Sequence, residues 1–306
     1  MRTDDPEQSV NAAAQAADSR RAPADQARRV PVVEAGTWLT LADDGLTRCP
    51  LCFGAMEPAP GMAGFVRHKN ARRAAQCVLT TSHYQPDDLA VRRVANPALS
   101  ALNRRRFVEC WEFHYALVRQ MWPGITIQRF INMLALADVL GLWSYAGLRD
   151  DDLAAVLLVL TGFIKVRPGD GLPIALPVAP STKPGAEAAA VTERPRGTTT
   201  NWVRFWFDSS VHDVGDLWMP RDRPAELFRV DYREADATPF PTGNEVLRCE
   251  RVAGVREAWA ARGEGSAQTI DAAERHAFLS FASRTHALGG ADSSVASKRQ
   301  GSKGGG

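Results

Sequence analysis

No stretch of the 306-residue chain is apolar for long enough to cross a bilayer. A spanning helix needs about 20 apolar residues. Leu153–Ile164 is too short, and the segment Phe130–Trp143 is interrupted by Asn132 and Asp138. No secretory apolar segment follows Met1. Residues 1–30 are mostly Ala, Gln, Arg, Asp and Pro, the composition of a disordered tail. Cysteine is scarce and odd in number, five residues, three of them close together. That count excludes a secreted disulfide scaffold, which is denser in cysteine and even. Charge of one sign is also lacking: 37 basic against 35 acidic residues leave a net +2. There is no Gly-rich phosphate loop, no Gly-x-Ser-x-Gly elbow, no kinase string and no internal repeat. The expectation is a cytoplasmic chain without a membrane segment, long enough for one or two cores.

What is present changes character along the chain. After the tail, Trp38-Leu39-Thr40-Leu41 and Leu46-Thr47-Arg48-Cys49 flank Asp44-Gly45, a hairpin signal. Phe65-Val66-Arg67-His68 reads as a short strand. A module over 37–90 is expected here. Apolar residues at three- and four-residue intervals then predict a helical region over 98–166. A first helix runs through Phe107, Trp111, Tyr115 and Val118 to a stop at Pro123-Gly124. A second begins at a Thr126 cap, and a third runs from the Asp150–Asp152 acids to about Phe163. Residues 167–200, rich in Pro, Gly, Ala and Thr, read as a loop or linker. From 201 to 253 the period becomes two: 202–208, 227–233 and 245–252 predict antiparallel strands with one buried face. Exposed helices are expected over 254–288 and a second disordered tail over 289–306. The fold class is α+β.

The cysteines carry the strongest signal. Their spacing is Cys49-x2-Cys52-x15-His68-x8-Cys77. A Cys-x2-Cys pair at a hairpin end aims two sulfurs at one point, and three Cys with one His complete a tetrahedral Zn²⁺ set. Such a set leaves no open coordination position, so the ion is expected to be structural. Binding of about 10–16 kcal/mol can fold a module with few large apolar residues. His83, with five residues between it and Cys77, competes with His68 for the fourth place. Cys110 and Cys249 read as isolated core thiols.

The strings Cys49-Pro50-Leu51-Cys52, Phe65-Val66-Arg67-His68-Lys69 and Cys77 resemble the N-terminal zinc-binding segment of CoiA-type competence proteins. That family shows Cys-Pro-x-Cys, then Phe-x-His, then Cys; here two residues separate Phe65 from His68. The resemblance covers about 38–85. It implies DNA processing by a nuclease-like domain downstream, but no Asp…Glu-x-Lys core occurs over 98–165.

Cations cluster beside this module: Arg67, Lys69, Arg72, Arg73, Arg92, Arg93, Arg104, Arg105 and Arg106, against only Asp87 and Asp88. A basic stripe of this kind suits phosphate contacts or a protein partner; it also suits a plain solvated surface. Asp208, His212, Asp213 and Asp216 follow a strand and could hold a catalytic divalent cation in a nuclease or hydrolase; the same residues are ordinary turn formers. Trp202, Arg204 and Trp206 share one strand face, and with Trp218 could stack bases. Glu109, Glu112 and His114 make no metal-ligand spacing and read as a solvated helix face. The leading reading is a zinc-binding protein contacting nucleic acid or a protein; a metal-dependent hydrolase and a scaffold are the alternatives.

Overall fold

The period-two segments form the layer around which the rest is arranged. The computed structural model describes residues 32–36, 38–42, 44–83, 89–166, 201–220, 222–235, 238–253, 259 and 270–284. The expected tails over 1–30 and 289–306 and the loop over 167–200 lie outside them. Among the described residues the protein is α+β. Strands β1 (Val33–Glu34), β5 (Phe65–His68) and β4 (Met56–Pro58) form one small antiparallel sheet, and β2 (Thr40–Leu41) and β3 (Thr47–Arg48) a hairpin. The main sheet is antiparallel, in the order β6 (Ile164–Lys165), β7 (Trp202–Phe207), β8 (Leu227–Tyr232) and β9 (Val246–Val252). The helices are α1 (Ala71–Gln76), α2 (Pro97–Glu109), α3 (Trp111–Met121), α4 (Ile127–Leu140), α5 (Asp150–Leu160) and α6 over 272–284.

The helices start and stop where local chemistry dictates. Asn96 caps α2 by accepting from the Leu99 N–H at 3.0 Å, with Pro97 in the first turn. Thr126 caps α4, and Gly141 ends it in the left-handed region at φ +68°. The expected single helix through Phe107 and Tyr115 is two, broken at Cys110, which caps both. The third expected helix ends at Leu160, not Phe163. Gly162 at φ +70° turns the chain, and Ile164 enters β6 opposite Val203.

The main sheet is buried on both faces, which corrects the expectation of one. All six residues of β8 are buried. Val203, Phe205 and Leu227 face the helices and join their core, with α5 packed on β7. Trp206, Phe228, Val230 and Tyr232 face the other way, against Val33, Trp38, Cys49, Met56, Val66, Cys77 and Leu79. The cysteine-bearing module is therefore a layer of the fold laid on the sheet. Alternation persists because a strand sends successive side chains to opposite faces; here both partners are apolar. The helix-facing side also holds a buried ion pair, Arg229–Asp231 at 2.8 Å, to which Arg248 adds a second contact at 3.0 Å.

Helix α6 is not a freely exposed helix as expected. Phe278 is buried and stacks on Trp111 at 3.9 Å, and Glu274 accepts from the Tyr115 hydroxyl at 2.7 Å. The first helix expected there, near 255–262, lies outside the described residues except at Trp259.

Candidate metal centre

Each cysteine of the spacing motif is delivered by its own local device. Gly45, at φ +74°, closes the β2–β3 hairpin, and Asp44 holds the turn by accepting from the Leu46 N–H at 3.0 Å and pairing with Arg48. Cys49 follows directly. The chain then folds back in a tight knuckle: the Phe53 N–H donates to Cys49 O at 2.7 Å, and the Cys49 N–H to Gly54 O at 2.9 Å. Phe53 takes φ +56°, a left-handed conformation costly for a side chain. Gly54 N–H donates to Cys52 Sγ at 3.4 Å. A Cβ at Gly54 would lie 3.0 Å from His68 Cδ2 and 3.2 Å from Cys52 Sγ, so the absence of a side chain lets the knuckle close on the imidazole.

His68 ends β5, in register with Met56 on β4. Two residues on, Asn70 accepts from the Arg72 and Arg73 N–H groups at 2.9 and 3.3 Å and starts α1. Cys77 caps the C-terminal end of that helix, and its carbonyl accepts from Thr80 and Thr81. Helix α1 adds to the expected hairpin and strand; Asn70 before an Ala-rich run is its N-cap signal.

These devices bring four donors together. The ligand atoms of Cys49, Cys52, His68 and Cys77 all lie within 4.8 Å of one another. Cys49 Sγ and Cys77 Sγ are 3.7 Å apart; Cys52 Sγ and His68 Nε2 are 3.2 Å apart. A tetrahedron with metal–sulfur bonds of about 2.3 Å has sulfur–sulfur edges of about 3.8 Å. The residues lie close enough to hold a metal ion. Cys49, His68 and Cys77 are buried and Cys52 is half-buried. His83, the competing fourth ligand, is exposed and outside the group.

The histidine's tautomer follows from its other nitrogen. The Thr80 hydroxyl donates its one proton to Ala74 O at 2.6 Å. Toward His68 Nδ1, 3.5 Å away, it can only accept. That contact is long, but it puts the imidazole proton on Nδ1 and leaves the Nε2 lone pair facing the sulfurs, the tautomer a metal requires. Among themselves the three thiols hold protons unequally. Hydrogen bonds from Cys49 and Cys77 draw the Cys52 thiol far down. Hydrogen bonding to Cys52 pushes Cys49 up, hydrogen bonding to Cys49 and Cys52 pushes Cys77 up, and burial adds to both. Bringing all three sulfurs to the thiolate state at this spacing would need a cation among them.

The other candidates come out differently. Asp208 accepts from the Ser210 N–H at 2.8 Å, the Ser210 hydroxyl and the Glu226 N–H at 2.6 Å. Asp216 accepts from the His212 and Asp213 N–H groups, both at 2.8 Å, in a capping box. Asp213 accepts from Gly215, Arg92 and the Tyr145 hydroxyl. These carboxylates hold turns, as their chemistry allows. Among the described residues, the cysteine–histidine set is the one group of three or more His, Cys, Asp or Glu able to hold an ion. The hydrolase site at Asp208, His212 and Asp216 is thus not assembled.

The stacking platform is corrected as well. Arg204 is 2% exposed, its guanidinium between the Phe163 and Trp206 rings at 4.3 and 4.2 Å, and that face is covered by the module. His114 is fully buried, stacked between Phe107 and Trp259 at 4.7 and 4.8 Å, rather than on a solvated face. It shares the Trp111, Tyr115 and Val118 stripe, a helical spacing visible in the sequence. Of the nine cations, Arg67, Arg104 and Arg106 are partly buried and paired with Glu57, Asp138 and Asp150. Lys69, Arg72, Arg73, Arg92, Arg93 and Arg105 are exposed. No helix among the described residues is long and apolar enough to cross a membrane. Comparison with protein-family models, curated proteins and solved structures found no match to this chain.

Proposed function

We propose that the chain is a zinc protein whose ion is structural, and that its module contacts the phosphates of a nucleic acid. The metal reading rests on the donor set. Three sulfurs and one imidazole favour Zn²⁺ over the oxygen-seeking Mg²⁺ and Ca²⁺. Four protein donors leave no position for a water or substrate, so the ion would organise the fold rather than activate a reactant. Its ligands come from a hairpin, a strand end and a helix end, and it would lock all three against the main sheet.

The observation that carries the nucleic-acid reading is the charge on α1 and its approach. Lys69, Arg72 and Arg73 are exposed within eight residues of Cys77 and form no ion pair among the described residues. Arg92, Arg93 and Arg105 extend the cationic stretch. The resemblance to competence proteins agrees with such a role. Fluorescence anisotropy of labelled single- and double-stranded DNA, titrated with the zinc-loaded chain, tests it. Affinity should fall steeply with added salt, because phosphate contacts release counterions. Joint replacement of Lys69, Arg72 and Arg73 by Glu should abolish binding, and Arg284→Glu on α6 should leave it intact. No binding at low salt would refute the nucleic-acid role.

A further inference from the structure

One side chain of the cysteine knuckle serves neither the metal centre nor a core. Phe53 is 50% exposed and joins neither apolar cluster of the fold. Its backbone lies at φ +56°, a region open to glycine and disfavoured for a bulky side chain. A ring left half in solvent offsets little of that cost by burial. The knuckle nevertheless holds it there: the Phe53 N–H donates to Cys49 O at 2.7 Å, and Phe53 O accepts from Arg48 Nη1 at 3.2 Å. The Arg48 guanidinium covers one face of the ring, 4.8 Å from its centroid. Among the described residues no second ring or cation stacks on Phe53. The residues that follow tie the ring to the basic segment. A Cβ on Gly54 would lie 3.5 Å from Arg73 Cβ, and the Lys69 N–H donates to Ala55 O at 2.9 Å. Phe53 is thus one residue from a contact with Arg73 and two from a contact with Lys69.

We infer that Phe53 stacks on an unpaired base of a single-stranded nucleic acid whose phosphates run over Lys69, Arg72 and Arg73. The inference rests on the phosphate-contact reading above and adds the form of the strand to it. Cations that follow a backbone, with an aromatic ring among them, suit a single strand: its base faces are open, whereas a duplex keeps them stacked inside. Every base has a π face, so the contact selects strand form and tolerates sequence. The guanidinium on one side of the ring leaves the other side for the base, and a cation over an aromatic face is itself favourable. The Trp202–Arg204–Trp206 face, buried under the module, cannot serve this purpose; the knuckle offers its ring to solvent.

Fluorescence anisotropy of the full, zinc-loaded chain tests it with a short oligothymidine, its oligouridine counterpart, and an abasic strand of equal length and charge. The parent should bind the better of the two base-bearing strands about tenfold more tightly than the abasic strand; which of the two is better distinguishes DNA from RNA. Phe53→Ala should abolish that difference by weakening the base-bearing strand alone. The salt dependence should not change, because the phenyl ring carries no charge. Phe53→Trp should keep the preference. Zinc content of each variant checks that the module is folded, and the parent comparison needs no variant, so it decides the matter even if Phe53→Ala loses its metal. Equal binding of base-bearing and abasic strands by the parent, or a preference retained in zinc-loaded Phe53→Ala, would overturn the inference and leave the phosphate reading standing. Failure of every strand to bind at low salt would instead defeat the phosphate reading, and this inference with it.

Discussion

Gly243 lies flat against the backbone of Thr80. A Cβ there would fall 2.5 Å from Thr80 C and 2.6 Å from its Cα, and the Gly243 N–H donates to Thr81 O at 2.6 Å. Thr80 is the residue beneath the His68 imidazole, so a turn just before β9 meets the support of the metal centre directly.

Gly243→Ala should therefore loosen the module from the sheet. Overpacking backbone against backbone costs about 1–3 kcal/mol and occasionally more. Urea unfolding of the metal-loaded protein should show a midpoint lowered accordingly. An unchanged midpoint would mean that the turn and the Thr80–Thr81 segment separate without consequence.

Thr80 itself separates orientation from packing. Thr80→Val keeps the volume and removes the oxygen that accepts from His68 Nδ1. Loss of such a supporting contact typically lowers metal affinity about 10–100-fold. Competition with a chromophoric chelator should find Thr80→Val weakened in that range and Thr80→Ser close to the parent. Equal affinities in both would remove Thr80 from the metal centre.

Asp231 on β8 accepts from Arg229 and Arg248 in the buried layer between sheet and helices. Asp231→Ala leaves the buried Arg229 guanidinium without its carboxylate, while Arg248 keeps Glu250 at 2.7 Å. Breaking one side of a buried pair costs about 3–5 kcal/mol. Thermal unfolding should show a loss of that order, whereas Arg248→Met, on the more exposed partner, should cost less.

Alkaline pH gives a further handle. Tyr115 and Tyr232 are raised above the ordinary phenol value of 10 chiefly by burial, and Tyr145 by burial and its hydrogen bond to Asp213. A raised folded-state value means that the neutral phenol is favoured in the fold. The stability this contributes is fully present below the unfolded value near 10 and is lost as pH rises toward the folded value. Tyrosinate absorbance at 295 nm should show three of the four tyrosines protonated through pH 10 in the folded chain, and all four titrating together in urea. Identical curves would contradict the burial of these phenols.

Much of this arrangement is readable from residue order, and the exceptions share a cause. The ligand spacing, the Asp44-Gly45 turn, the Thr126 cap and the three long strands are local signals, and they stand in the structure. The pairing of Val33 with Val66 is not local; a two-residue strand has no periodicity to announce it. The apolar stripe runs across Cys110 without interruption, so the break between α2 and α3 leaves no mark. Phe163-Ile164 is a short apolar run, ambiguous between helix and strand, and the pairing with β7 decides it. The second buried face of the sheet depends on a partner far away in sequence: Trp206 and Phe228 share a core with Val66 and Cys77. Asn70 and the Trp111–His114 spacing, by contrast, are local signals present in the sequence.

The central claim is one zinc ion held by Cys49, Cys52, His68 and Cys77. Elemental analysis by inductively coupled plasma mass spectrometry, on protein purified without chelator, tests it most directly. The account predicts one zinc per chain in the parent and in His83→Ala, and none in Cys49→Ser, Cys52→Ser, Cys77→Ser or His68→Ala. A parent protein without zinc, or full zinc retained in His68→Ala, would contradict it.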